Sequence, residues 1–294
     1  MKKTLAIVVL LCITLGAQAQ LLWKVSGNGL DRPSYVFGTH HLAPLSIKDS
    51  IASLQQVIDR TEQVYGEIIM GDSISPEAVM VMQRAMMLPA DTTLNSLYTQ
   101  AEYDTLAAVV KNYMGVDLAM LDKVKPAAIT AQLSVVLAMR SLKGFNPQEQ
   151  LDTWFQAQAR RAGKKVGSLE TIDMQANLLY QSQSLARQAS LLYCAATHIG
   201  QGIDQAVRMN RAYMAQDLDG LLAVMEEQAD DVCDNTPEEI DALVYHRNEN
   251  WSRQLPEIMK QSPTLFVVGA GHLPGTRGLL KLLQQQGYTV EAMK

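Results

Sequence analysis

Hydrophobic and polar positions divide the chain into strand-like ends and a helical middle. Leu21–Ser26 (LLWKVS), Ser34–Thr39 (SYVFGT) and Gln63–Met70 (QVYGEIIM) are short runs rich in β-branched and aromatic residues, which predict strands. Gly27, Gly29 and Pro33 punctuate the first two runs as a hairpin turn does. Ile47, Ile51, Leu54 and Ile58 recur at helical spacing, so a helix joins the second strand to the third as a β-α-β unit.

From about residue 75 to 145, and again from about 172 to 260, the periodicity is helical. Ser75-Pro76 reads as an N-cap followed by proline at the first helical position. Thr99 opens a helix that ends near Gly115, and Pro126 opens a third. Between the two helical blocks, Pro147–Ala162 predicts a helix, Gly163 a stop and Lys165–Leu169 a strand, a second β-α-β candidate. The closing block PTLFVVGAGHLPGTRGLLKLLQQQGYTVEAM predicts strand, glycine loop, helix and last strand. The fold class is therefore α/β, or α+β: a central mixed sheet from two β-α-β-type halves with a large helical insertion. The last strands must pair with the first to be buried, so the chain ends meet. Met80, Met82, Met86 and Met87 read as core packing in preference to a binding face.

Composition narrows the function classes. With 48% hydrophobic and 19% charged residues the chain is globular. A net charge of −5 speaks against general nucleic-acid binding, which needs a basic surface. Lys2 and Lys3, the apolar stretch Leu5–Leu15 and Ala17-Gln18-Ala19 form a signal-peptide pattern over residues 1–19, implying export to the periplasm or beyond. No further apolar run is long enough to span a membrane. Export leaves two cysteines, Cys194 and Cys233, both in helical-looking segments. They are free to bridge or to remain two thiols.

Five histidines serve the whole chain, and two of them end matching segments. Gly38–Leu42 (GTHHL) and Gly269–Leu273 (GAGHL) each follow an apolar strand and place His three residues after Gly, with Leu next and Pro close behind. Strand ends of open α/β sheets are where ligands bind. Each histidine alone reads equally as a hydrogen-bonded structural residue, but the pair predicts that His41 and His272 share a site. Two imidazoles suit a divalent metal, with a carboxylate as third ligand or general base. Glu67, a charge inside an apolar strand run, is the first candidate for that carboxylate. Glu170, directly after the central strand, is the second. Arg247 and Asn248, on a predicted helix, are placed to stabilise an oxyanion and to orient a ligand. His198 and His246 read as surface residues, and His40 has no assigned role. There is no H-E-x-x-H helix, G-x-S-x-G elbow or Walker A loop. GAGHLPG lacks the third glycine of a dinucleotide loop, and only 19 residues follow it.

The ordered set of these segments resembles the TraB/PrgY/GumN family, the Tiki-like metalloprotease superfamily. LLWKVSGNGLDRPSYVFGTHHL resembles its opening strand pair and first G-x-x-H, GEIIM its acidic segment, GKKVGSLETIDMQ its Leu-Glu-Thr segment. HRNENW resembles its Arg-Asn segment, and FVVGAGHLPGTRGLLKLLQQQGYTV its closing G-x-x-H block. The resemblance implies one domain over 20–294 with an erythromycin-esterase/ChaN-like fold. It also implies a divalent-metal-dependent peptidase using Zn, Mn or Co on a peptide or protein substrate. His41, His272 and Glu67 would be ligands, and Glu67, Glu170, Arg247 and Asn248 catalytic. His40 stands where the family more often has an apolar residue. Two alternatives remain: a ligand-binding protein for haem or peptide on the same fold, and a metal-free esterase-like hydrolase.

Overall fold

Two strands buried almost along their whole length organise the fold: β2 (Ser34–Thr39) and, parallel to it, the strand Thr264–Gly269 from near the other end of the chain. A computed structural model describes residues 20–71, 74–229 and 232–293. The expected signal peptide lies outside the described residues. The chain runs β1 (Leu22–Ser26), β2, α1 (Leu54–Arg60) and β3 (Gln63–Gly66). Helices α2 (Pro76–Ala85), α3 (Gln100–Met114), α4 (Pro126–Ser141) and α5 (Leu151–Arg161) lead to β4 (Lys165–Ser168). Then come α6 (Ile172–Tyr180), α7 (Leu185–Thr197), α8 (Ile199–Met214), α9 (Leu218–Met225), α10 (Pro237–Ile240) and α11 (His246–Gln261). The chain closes with β5 (Thr264–Gly269), α12 (Leu279–Gln285) and β6 (Thr289–Ala292). The class is mixed α/β, as the sequence pattern predicts.

The sheet order is β4-β3-β5-β2-β1-β6. The four strands from β4 to β2 are mutually parallel, while β1 runs antiparallel to both β2 and β6. The chain ends therefore meet as expected, and β5 enters between β2 and β3. Parallel central strands must be covered on both faces, which explains their unbroken apolar runs. Successive side chains alternate between faces. On one face Phe37 packs on Phe155 of α5, ring centroids 4.8 Å apart. On the other, the amide of Gln63 donates to the carbonyl of Ile258 in α11 at 3.1 Å. The insertion builds a second core of its own, with Leu94, Leu106, Val110, Ile129 and Leu192 at its centre. Met82 and Met86 pack beside a small cluster around Ala85 and Tyr180, but Met80 and Met87 are exposed, so only half of the methionine group serves packing.

The sequence pattern overran several boundaries. Ile47 lies in a 3₁₀ turn (Leu45–Ser50), Ile51 is extended, and α1 starts only at Leu54. The predicted strand Gln63–Met70 stops at Gly66. Beyond it the backbone leaves the sheet and bonds to a side chain of α5. Gln156 donates to the Ile68 carbonyl at 2.8 Å and accepts from the Met70 amide at 2.9 Å. Glu67 therefore sits just past a strand end, not within a strand. Cys233 lies in the loop between α9 and α10, not in a helix, and is disulfide-bonded to Cys194 of α7.

Gly38 shows how closely the two buried strand ends approach. A side chain there would meet Leu273 Cδ1 at 2.8 Å and the Ala270 Cα at 3.0 Å. Gly38→Ala is expected to lower stability by about 1–3 kcal/mol through overpacking, read as a lower urea midpoint. An unchanged midpoint would contradict this packing.

Candidate functional site at the carboxyl edge of the parallel strands

The four parallel strands end at one edge, with Thr39 paired to Gly269 and Gly66 to Ser168. Every candidate from the strand segments lies within three residues of one of these ends: His40 and His41 after β2, Glu67 after β3, Glu170 after β4 and His272 after β5. Helix α11 contributes Arg247 and Asn248 from its first turn. A cleft of about 210 Å³ lies at this edge. Thr39, His40, His41, Glu67, Arg247 and His272 line it, with Met209, Met225 and Val244 as apolar wall. The two G-x-x-H segments thus deliver both histidines to one cleft.

Arg247 is the centre of the arrangement. Its Nε donates to Glu170 Oε1 at 2.7 Å, and its Nη2 to Glu170 Oε2 at 3.0 Å and Glu67 Oε2 at 2.5 Å. Its Nη1 donates to the Leu243 carbonyl at 3.0 Å and lies 3.0 Å from His272 Nε2. Leu243 belongs to a π-helical turn, Asp241–Tyr245, that precedes α11 and turns this carbonyl toward the guanidinium. Trp251, one turn after Arg247, stacks under the guanidinium at 4.7 Å, touches the His272 ring at 4.4 Å and donates to Glu170 Oε1 at 3.1 Å. Glu170 therefore has both oxygens engaged and serves to hold Arg247.

Glu67 and His272 are held with equal definition. Glu67 Oε1 accepts from the Gly269 amide at 2.8 Å, and Oε2 also accepts from Gln175 of α6 at 3.2 Å. Burial raises the Glu67 carboxyl, but Arg247, His272 and the Gly269 amide outweigh it and hold it at about 2, so the group is ionised. Asn248 Nδ2 donates to the carbonyls of His272, at 3.1 Å, and Arg277, at 2.9 Å. Its Oδ1, 2.7 Å from His272 Nδ1, must then accept. This fixes the proton of His272 on Nδ1 and leaves the Nε2 lone pair toward Arg247 and the cleft. Burial lowers His272 to about 4, so the ring is neutral. Asn248 thus orients His272.

His41 stands at the mouth, its side chain 59% exposed, with Nδ1 3.4 Å from Asp152 Oδ2. The Asp152 carboxylate facing Nδ1 outweighs burial and raises His41 to about 9. His40 points inward beside Tyr213, ring centroids 5.4 Å apart, and burial lowers it to about 4. Its Nε2 is buried without a hydrogen-bond partner. His246 is exposed and His198 lies at the exposed end of α7, as expected. Sequence reasoning missed Asp152, Gln156 and Trp251. The signal for the first two is present in α5: its buried face, Leu151, Phe155 and Ala159, also carries Asp152 and Gln156, two polar residues four apart.

The donor types suit a divalent ion: the His272 imidazole with its lone pair inward, the His41 imidazole once an ion displaces its proton, and one ionised carboxylate. Among the described residues, no three His, Cys, Asp or Glu side chains already surround one point. Arg247 occupies the inward faces of His272 and Glu67. The residues fit an ion provided that the Arg247–His272 contact opens.

The buried neutral imidazoles set an acid sensitivity. His272 and His40 have folded values below the ordinary 6.5, so the unfolded chain binds protons more readily. Their contribution is full above about pH 6.5 and is lost as pH falls through about 4, each on the order of 2–3 kcal/mol. Urea titrations from pH 7 to 4 should show falling stability, with a shallower slope in His272→Gln. An unchanged slope in that variant would contradict the assignment.

No solved structure matches the chain. Among curated proteins it is 25% identical over 314 residues to Metalloprotease TIKI2 of Danio rerio, covering 92% of this chain and 60% of that relative. It is 25% identical over 318 residues to Metalloprotease TIKI1 of the same organism, covering 92% and 62%. To the Metalloprotease TIKI homolog of Amphimedon queenslandica it is 21% identical over 330 residues, covering 96% and 63%. The chain spans about three fifths of the length of these curated relatives. Residues 21–292 match the TraB/PrgY/gumN family from the first strand to the last, and the chain belongs to that family.

Proposed function

We propose that the protein is an exported, divalent-metal-dependent hydrolase that cleaves peptide bonds. The observation that carries this reading is the convergence of His41, His272 and Glu67 on one cleft at the carboxyl edge of the sheet. The metalloprotease names of the relatives support it. His41, His272 and Glu67 would hold the ion, with Zn, Mn or Co suited to that donor set. When bound, such an ion supplies Lewis acidity to a scissile carbonyl and to water. Asn248 keeps the His272 lone pair aimed inward. Glu170 and Trp251 hold Arg247 at the cleft, where its guanidinium meets negative charge developing on the carbonyl oxygen. Glu67, ionised and cleft-facing, is the residue placed to take a proton. The Cys194–Cys233 disulfide supports an oxidising destination, in accord with the signal-peptide pattern. Among the described residues no helix is long and apolar enough to cross a membrane.

A second reading rests on Arg247. A cation already sits between Glu67, Glu170 and His272, so a metal-free hydrolase would use the same residues for proton transfer alone. One experiment separates the readings: a peptide-library cleavage screen on protein reconstituted with Zn, Mn or Co, with and without chelator. Chelator-sensitive cleavage is expected, reduced at least about 100-fold in His41→Ala and His272→Ala. Cleavage indifferent to chelator favours the metal-free reading. No cleavage by any reconstituted form would overturn both and leave a binding protein.

A further inference from the structure

Each cleft histidine presents its Nδ1 to an acceptor from an opposite face of the sheet, His272 in a 2.7 Å hydrogen bond and His41 in a looser 3.4 Å contact, and one of the two acceptors has no assigned role. His272 has its Nδ1 bonded to Asn248 Oδ1, from the first turn of α11. His41 has its Nδ1 facing Asp152 Oδ2 at 3.4 Å, from the first turn of α5. We propose that Asp152 is the positioning residue of His41, turning its imidazole so that Nε2 faces the cleft, as Asn248 does for His272.

The surroundings of Asp152 support this role. The residue is 5% exposed, and a buried carboxylate needs donors on both oxygens. Thr39, the last residue of β2, donates its hydroxyl to Oδ1 at 2.9 Å. Oδ2 is buried with no hydrogen-bond donor, and His41 Nδ1 is the nitrogen that faces it. The first turn of a helix favours a carboxylate electrostatically, so α5 stabilises the charge that the imidazole faces. Thr39, His41 and Asp152 thus form a chain from strand end to helix end. The two holders differ in charge: a carboxylate behind His41 and an amide behind His272. A carboxylate behind a histidine raises its basicity as a ligand and fixes its tautomer. His41, exposed at the mouth, needs that restraint more than His272, which is already immobilised by burial.

This inference rests on the proposed ligand role of His41, so its test has one arm that needs a metal and one that does not. In the first, calorimetric titration of the full chain with Co or Zn compares wild type with Asp152→Ala, Asp152→Asn and Thr39→Val. Affinity should fall about 10–100-fold in Asp152→Ala, with smaller losses in the other two. Wild-type affinity in Asp152→Ala would overturn the proposal. In the second, nitrogen NMR of the metal-free protein reads the His41 ring. Wild type should show its Nδ1–H held against Asp152 and protected from exchange, with a fixed ring orientation. Asp152→Ala, and more weakly Thr39→Val, should release it to the averaged signal of a free imidazole. An unchanged His41 signal in Asp152→Ala overturns the proposal even if no variant binds metal. Wild type that binds no ion while the NMR arm behaves as expected counts against the proposed function alone. Asp152→Asn, nearly isosteric, keeps the test valid if the alanine variant fails to fold.

Discussion

A buried guanidinium holds the site together. Arg247, with 13% of its side chain exposed, spends five hydrogen-bonding contacts on Glu67, Glu170, the Leu243 carbonyl and His272. Withdrawing a guanidinium and two carboxylates from water is unfavourable unless each is matched, and removing one partner of such a group costs about 3–5 kcal/mol. Matching them requires the ends of β3 and β4, the segment after β5 and the start of α11 to meet at one point. The π-helical turn before α11 and the Trp251 stack are both explained by this demand. The backbone repeats the tie: just past the end of the β3–β4 ladder the Glu170 amide donates to the Glu67 carbonyl at 2.8 Å.

The sheet makes this meeting possible because its four parallel strands release the chain on the same side. Glycine sets the close approach at two of those exits. Gly38 lets β2 pass against Ala270 and Leu273, and at Gly269 a side chain would stand 3.3 Å from Glu67 Oε1. The Gly269 amide can therefore reach Glu67. Helices α5 and α11, on opposite faces of the sheet, supply Asp152 and Asn248 from their first turns to the two histidines. Most of the insertion packs on its own core. It reaches the cleft through Gln175 of α6, and α8 and α9 contribute Met209 and Met225 to the wall. The chemistry thus sits on rigid strand ends, while the insertion shapes the approach.

What the sequence reveals follows from which forces act locally. The buried strands, the hairpin and both G-x-x-H segments were legible because strand burial and turn chemistry leave period and glycine signatures. The convergence of His41 and His272 was legible because both segments follow the same pattern. Glu67 stood out as a charge in an apolar run, although its strand ends at Gly66, four residues earlier than the run implied, since Gln156 of α5 takes over the backbone. Asp152 was passed over because an acid at a helix start also serves the helix dipole, and only its place on the buried face of α5, four residues from Gln156, marks it. Glu170 and Asn248 were found as candidate base and ligand orienter, but the neighbours that hold them were not. Their work on Arg247 and His272 depends on contacts made 77 and 24 residues away. The disulfide, likewise, depended on where an irregular loop places Cys233.

The central claim is that two distant strand ends, His41 and His272, form one metal centre. Anomalous diffraction from crystals reconstituted with Zn, Co or Mn tests it most directly. The account predicts one ion within about 2.0–2.3 Å of an imidazole nitrogen from each histidine, with the Arg247–His272 contact opened. An ion bound elsewhere, or touching only one of the two rings, would contradict it.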